Sequence, residues 1–328
     1  MTRVYHGGDL SAASGVFCTP EDGWIDLSTG INPVPWPVPS GALDSLHRLP
    51  DSGAVDALRR AAASAYGIDD PARIACAPGS QALIQWLPRL RDPGRVAVVA
   101  PTYGEHVPAW RTAGHDTVET PALPDAADCD IAVLTRPNNP DGAAETSSAV
   151  SALASDLAAK GGAVLVDEAF ADLDPAPSIA AACESGLIAL RSFGKFYGLP
   201  GLRLGFAIAD PDTAEQLTAA MGPWALSSLA AEIGMAALTD RDWQVATRER
   251  LARDTSRLDA LLAGAGLAVV GGTHLFRLVE SDAAADVHEK LGRAGIYTRR
   301  FPDTPRWLRF GLPGEDSHWD RLEKALTS

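Results

Sequence analysis

Five short stretches of this 328-residue chain are almost wholly apolar: "RVAVVAP" from Arg95, "DIAVLT" from Asp130, "AVLVDEAF" from Ala163, "LIALRSF" from Leu187 and "LRLGFAIA" from Leu202. A strand wet on one face alternates polar and apolar residues. Runs this uniform and this short belong to strands covered on both faces. Ala-rich segments with helical spacing, such as 144–160, separate several of them. Strands alternating with helices imply an α/β domain, a mainly parallel sheet with helices on both sides.

The flanking regions read differently. The first forty residues are rich in Gly and Pro and end in "TGINPVPWPVPSG", which predicts an extended arm rather than regular structure. From Asp51, "DSGAVDALRRAAASAYG" has a capping start, apolar residues at helical spacing and a terminal Gly. A second helix, "SQALIQWLPRLR", opens directly after "APG". Beyond residue 212 the spacing predicts one long helical stretch over 225–264. The strand "GTHLFRLVE", the helix "AADVHEKLGRAG", the strands "IYTRRF" and "WLRFGL" and a closing helix follow it. The expected division is therefore an arm over 1–40, a large domain over 41–222 and a smaller α+β domain over 223–328, with the arm packed on the smaller domain.

Charge and cysteine usage exclude several classes. With 28 basic and 42 acidic residues the formal net charge is −14, so the electrostatic footprint of a nucleic-acid binder is absent. The four cysteines form no CxxC pair or Cys/His cluster, which argues against a structural zinc site, a metal centre or a disulfide framework. The opening "MTRVYHGGDL" has no apolar core of a leader, and no apolar run reaches the roughly 18 residues of a membrane span. A cytoplasmic protein with no membrane partner is expected.

The chemistry centres on "RSFGKFYGLPGLRLGF", residues 191–206, where Lys195 sits between glycine-rich runs. A phosphate-binding loop needs Gly, four residues, then Gly-Lys-Ser/Thr. Here Ala189 stands at the first Gly and Phe196 follows the lysine, so that pattern fails twice; Gly79, alone in "APGSQ", makes no dinucleotide fingerprint either. The alternative is a lysine that forms an imine with a carbonyl cofactor. Such a site also needs a carboxylate for a pyridinium nitrogen, an aromatic to stack on the ring and an anion cradle.

Each has a candidate at a strand or helix end. Asp167 emerges from the buried strand "AVLVD", as a helix cap or loop acid would, or as the partner of a pyridinium N–H; Glu168 is expected to point the other way. Gly79, Ser80 and Gln81 open a helix, as a plain cap does, but also as a phosphate cradle does. Tyr103 in "APTYGEH" follows a strand, either as a structural tyrosine or lying on a ring. Asn139 in "RPNNPDG" lies in a turn sequence and can donate to a ring hydroxyl oxygen. Ser192 and Arg203 flank Lys195 and can complete a phosphate site, although an Arg in "GLRLG" also suits a solvated surface.

Together "PGSQ", "PTYGEH", "PNNP", "VDEAF" and "SFGK" with "LPGLRLG" resemble the fold-type I pyridoxal-phosphate enzymes of the histidinol-phosphate aminotransferase-like branch, over nearly the whole chain. The resemblance implies a large domain with a mainly parallel seven-stranded sheet, a smaller C-terminal domain, pyridoxal 5′-phosphate as cofactor, and a homodimer with active sites near the subunit interface. It implies that Lys195 forms the imine, Asp167 pairs with the ring nitrogen, Asn139 bonds the ring hydroxyl oxygen and Tyr103 stacks. Gly79, Ser80, Ser192 and Arg203 would bind the cofactor phosphate, with Gln81 also in the cofactor site.

Within the branch, "YHGGDL", "DLSTGINPVPWPVP" and Phe170 in "DEAF" look most like the threonine-phosphate decarboxylases of cobalamin biosynthesis. Aminotransferases of the branch usually carry Tyr where Phe170 and Leu49 stand. The resemblance implies a phosphorylated amino acid, O-phospho-L-threonine, as substrate, and (R)-1-amino-2-propanol O-phosphate as product. His6, Gly7, Gly8 and Asn32 would close on it. Arg309 would pair with its carboxylate and Arg299 with its phosphate, Arg300 being the alternative in that role. An aminotransferase acting on histidinol phosphate or another amino acid is the competing reading, and a non-catalytic binding protein of the same fold the third. Retention of Lys195, Asp167 and Asn139 together speaks against the last.

Overall fold

The computed structural model describes residues 6–327, which fall into two compact units. One comprises residues up to 35, 140–142 and 245 onward; the other comprises 36–139 and 143–244.

The chain opens in the smaller unit with α1 (Leu10–Phe17) and β1 (Ile25–Leu27). The helix departs from the extended arm expected there. The prolines of the first forty residues begin only at Pro20, and the Asp9 side chain accepts from the Ala12 N–H to cap the free stretch before it. The first five residues of the arm lie outside the described residues. Trp36 already belongs to the larger unit, where its N–H donates to the Tyr197 carbonyl and its Nε1 to Asp240, so the arm ends earlier than residue 40.

In the larger unit α2 (Ser52–Tyr66) is capped by Asp51, as its sequence predicts. Next come β2 (Ile74–Ala77), α3 (Ser80–Trp86), β3 (Arg95–Val99), α4 (His106–Thr112), β4 (Asp116–Thr120), β5 (Ile131–Thr135) and α5 (Ser147–Ala158). Then follow β6 (Ala163–Asp167), β7 (Leu187–Ser192), the single turn α6 (Phe193–Phe196), β8 (Gly205–Ile208), α7 (Pro211–Met221) and α8 (Ser228–Thr239). Seven strands form one sheet in the order β2-β8-β7-β6-β5-β3-β4, parallel except that β8 runs against both neighbours.

The apolar runs are covered on both faces. On one, Leu83, Ile84 and Leu87, Trp110, and Leu217 pack over Val96, Val98, Val133, Leu165, Ile188 and Leu190. Each such aliphatic side chain removed from water contributes about 1.5–3 kcal/mol. The sheet's order reverses at β3: the chain moves outward to β4, then returns to the other flank of β3 as β5. In open α/β sheets the crevice at such a switch point, beyond the carboxyl ends of the strands, is where ligands bind. Tyr103 follows β3 and Asn139 follows β5.

The predicted single helix over 225–264 is two helices, α8 and α9 (Arg241–Gly264). Asp240 divides them. Its backbone N–H closes α8 on the Ala237 carbonyl while its carboxylate accepts from the Trp243 N–H at the start of α9. The larger unit accordingly continues to Gln244 rather than stopping at 222, because α8 packs along α2.

The smaller unit continues with β9 (Ala268–Thr273), β10 (Phe276–Glu280), α10 (Ala284–Arg293), β11 (Ile296–Arg300), β12 (Trp307–Gly311) and α11 (Asp316–Thr327). "GTHLFRLVE", expected as one strand, is broken at His274 and Leu275 into an antiparallel hairpin. Its first strand escapes a pattern reading because two glycines, Gly271 and Gly272, interrupt its apolar run. The five-stranded sheet runs β1-β11-β12-β10-β9, so the arm supplies an edge strand, parallel to β11. Among the described residues no helix is long and apolar enough to cross a membrane, and no His, Cys, Asp and Glu cluster suits a metal.

Candidate active site

Parallel pairing aligns Thr135, Asp167 and Leu190 across β5, β6 and β7, so the carboxyl ends of three strands deliver their next residues to one edge. A pocket in the larger unit is lined there by Ser80, Gln81, Tyr103, Asn139, Asp167, Ser192, Lys195 and Arg203, eight of the residues picked out from sequence, together with Thr135, Ala169 and Phe170. The Lys195 ammonium lies 5.7 Å from the centre of the Phe170 ring, within cation–π range.

Gly79 borders this pocket through Arg203. A Cβ at Gly79 would stand 2.5 Å from the Arg203 Nη2, and the backbone there has φ +84 and ψ 154, a combination that glycine alone adopts without strain. The guanidinium therefore packs onto the bare glycine at the start of α3, where the first backbone N–H groups lack a preceding turn of helix to bond to. Arg203 itself takes the left-handed conformation, φ 52, at the end of the Pro200–Leu202 turn, and Nη1 donates to the Pro200 carbonyl. Ser80, Ser192 and Arg203 line the same end of the pocket, at the start of α3. Tyr103 donates to Gln81 Oε1 at 3.1 Å, fixing the phenol, while Gln81 Nε2 donates to Glu105.

Asp167 is buried, and one of its partners was not legible from pattern. His106, fully buried in the first turn of α4, places Nε2 3.1 Å from Asp167 Oδ2. Asp167 Oδ1 accepts from the Ala169 N–H. His106 also stands edge-on to Tyr103, with ring centroids 5.9 Å apart. The one signal in the sequence is its spacing, one helical turn beyond Tyr103 in "APTYGEH".

Glu168 does point away, into a second buried cluster. Its carboxylate takes Arg136, Arg191, the Ser178 hydroxyl and the Ile179 N–H, and Arg191 also pairs with Asp172. Burial works against the Arg191 charge, but Asp172 and Glu168 outweigh it and raise its proton affinity.

The remaining six residues expected to be functional belong to the smaller unit. Arg299 and Arg309 are register partners across β11 and β12. Burial, reinforced by the charge of Arg299 and opposed by Asp26, lowers the Arg309 guanidinium to about 9. Two like charges held this close favour an anion between them. Arg309 Nη2 donates to the Ser28 carbonyl. Asn32 is buried and accepts from Arg250 Nη2 at 2.7 Å, a contact from α9 that no motif announced. Gly8 is tied to Ser28, and His6 and Gly7 immediately precede it, His6 being exposed. Arg300, the alternative to Arg299, lies further along β11 and lines surface pockets beside Phe301 and Tyr297. Leu49 is exposed.

Residues 23–326 match the family of class I and II aminotransferases. The chain belongs to that family. It is 41% identical over 325 residues to the threonine-phosphate decarboxylase of Pseudomonas aeruginosa, spanning 98% of this chain and 96% of that one. To the threonine-phosphate decarboxylase of a Sinorhizobium species it is 42% identical, spanning 98% and 97%. The crystal structure of L-threonine-O-3-phosphate decarboxylase from Porphyromonas gingivalis superposes with a TM-score of 0.76 over 92% of this chain and 98% of that one; at 21% identity this establishes the shared fold-type I architecture. The pocket fits pyridoxal phosphate on its own chemistry: an amine, a buried carboxylate, an aromatic and a guanidinium packed against a Cβ-free helix start all line one cavity or its border.

Proposed function

We propose that this protein is a threonine-phosphate decarboxylase, converting O-phospho-L-threonine to CO2 and (R)-1-amino-2-propanol O-phosphate for the linker of cobalamin. The observation that carries the reading is the 41–42% identity to two such decarboxylases over nearly the whole chain. Phe170 in the pocket supports it, since a phenylalanine has no hydroxyl to offer a ring oxygen.

When bound, pyridoxal phosphate supplies an electron-accepting ring conjugated to the substrate amine. Ser80, Ser192, Arg203 and the N–H groups at the start of α3 would hold its phosphate. Asp167, kept in place by His106, would hold a negative charge at the ring nitrogen. Tyr103 would pack on the ring, and Asn139 would donate to its hydroxyl oxygen. Lys195 would hold the cofactor through its amine and would supply the proton that replaces the carboxylate at the substrate Cα.

Arg309 and Arg299 take the two anionic groups of the substrate, and His6, Gly7, Gly8 and Asn32 complete that part of the site. Anchoring both anions fixes rotation about Cα, so remote binding energy selects the carboxylate bond for cleavage. The protein works as a cytoplasmic homodimer in this reading.

The test is to incubate the holoenzyme with O-phospho-L-threonine and measure CO2 and the amino alcohol phosphate. Both should appear in equal amounts, and Lys195→Ala should abolish them. Accumulation of pyridoxamine phosphate without CO2 would establish the aminotransferase reading instead.

A further inference from the structure

Ser28 is fully buried at the end of β1 and uses all of its polar groups at once. Its N–H and its hydroxyl both donate to Asp26 Oδ1, at 2.8 and 2.6 Å. Because the hydroxyl proton is committed to that carboxylate, the oxygen lone pairs face outward, and Oγ accepts from the Gly8 N–H at 2.7 Å. The Ser28 carbonyl accepts from Arg309 Nη2 at 2.9 Å. One residue thus joins an acid, the N-terminal segment and the buried arginine.

The N-terminal segment is fitted to this residue closely. A Cβ at Gly7 would lie 2.3 Å from the Ser28 carbonyl oxygen and 2.9 Å from its Oγ, so only glycine lets the chain rest there. Gly8 has φ +84, and a Cβ on it would lie 3.3 Å from Thr29 Cγ2. The other face of the same strand end is equally tight, since a Cβ at Gly311 on β12 would lie 2.5 Å from the Thr29 carbonyl. Residues 26–29 are pressed between the N-terminal segment and the strand that carries Arg309. Asp26 also supplies the negative charge that offsets Arg299 at Arg309.

We infer that Asp26 and Ser28 are positioning residues that latch the His6–Gly8 segment to the Arg309 strand and so set selectivity for a phosphorylated substrate. The inference rests on the decarboxylase reading for the identity of that substrate, not for the latch itself. Asp26 orients the Ser28 hydroxyl, Ser28 anchors Gly8, and His6 is held two residues away from the anchor. Loss of the Ser28 hydroxyl frees the segment but leaves the Ser28 carbonyl to Arg309, so binding of the substrate phosphate weakens while carboxylate binding persists.

Ser28→Ala and Gly7→Ala in the holoenzyme test this. The first removes the anchor while leaving the Ser28 carbonyl to Arg309, and the second forces the segment off Ser28. Each should raise KM for O-phospho-L-threonine by about tenfold, the equivalent of one hydrogen bond. Preference for O-phospho-L-threonine over L-threonine as a competing ligand should fall by the same factor. Hydrogen exchange in the peptide spanning residues 6–9 should accelerate in both variants, with or without substrate; this readout does not depend on the reaction. Unchanged exchange in the two variants would overturn the latch, as would faster exchange with unaltered KM and selectivity. Should Ser28→Ala not fold, Gly7→Ala and Asp26→Asn carry the same comparison. If the wild-type protein releases no CO2, the decarboxylase reading fails, while the exchange experiment still decides the latch.

Discussion

Replacing His106 by Phe removes the donor to Asp167 but keeps a ring of similar size in a fully buried position beside Tyr103. Asp167 Oδ2 loses its 3.1 Å contact, while Oδ1 keeps the Ala169 N–H. A hydrogen bond to a charged group contributes roughly 1.5–3 kcal/mol. If that contact holds the carboxylate in place through the transition state, its full loss lowers kcat/KM about 10–100-fold. The assay is the rate of CO2 release as a function of substrate concentration, with cofactor retention followed by absorbance and Tm recorded by calorimetry. A kcat/KM equal to that of the wild type would refute the reasoning, even if Tm falls, because His106 would then only fill space.

Three further outcomes are expected. Gly79→Ala forces a Cβ against Arg203 in a conformation that costs about 1–3 kcal/mol for a non-glycine residue, and should weaken cofactor retention during dialysis, measured by absorbance. Glu168→Gln leaves Arg136 and Arg191 short of their shared charge; breaking such a buried pair costs about 3–5 kcal/mol, a Tm loss of roughly 10 °C by calorimetry. His288 is packed against Thr298, and burial followed by the Arg300 charge pushes it down to about 4. Its folded form binds a proton less readily than the unfolded chain, so this contribution to stability is present above about pH 6.5 and is lost as pH falls toward 4. Denaturant midpoints should decline across that window, and more shallowly in His288→Gln.

The site was unevenly legible. Lys195, Asp167, Asn139 and the "PGSQ" start could be read because each occupies a strand or helix end that the apolar runs locate on their own. His106 could not, since its role depends on α4 meeting β6, a contact spanning 61 residues. Arg250 and Ser28 were silent for the same reason: a helical arginine and a serine after a short strand carry no local pattern. Local signals also misled at Asp240, whose side chain both ends one helix and begins the next, and at Leu10–Phe17, where a capped helix hides among proline-rich neighbours.

The sequence by itself determined the α/β class, the large parallel sheet, and the placing of Lys195 and Asp167 at neighbouring strand ends. These follow from local periodicity and from residue types with few other uses. Tertiary structure alone decided what each charge meets: Asp167 with His106, Glu168 with two arginines, Arg309 with Arg299 and the Ser28 carbonyl. Pairings between residues far apart in the chain depend on strand order and register. Only the folded chain sets those, because burying each charge requires a partner that sheet topology must bring to it.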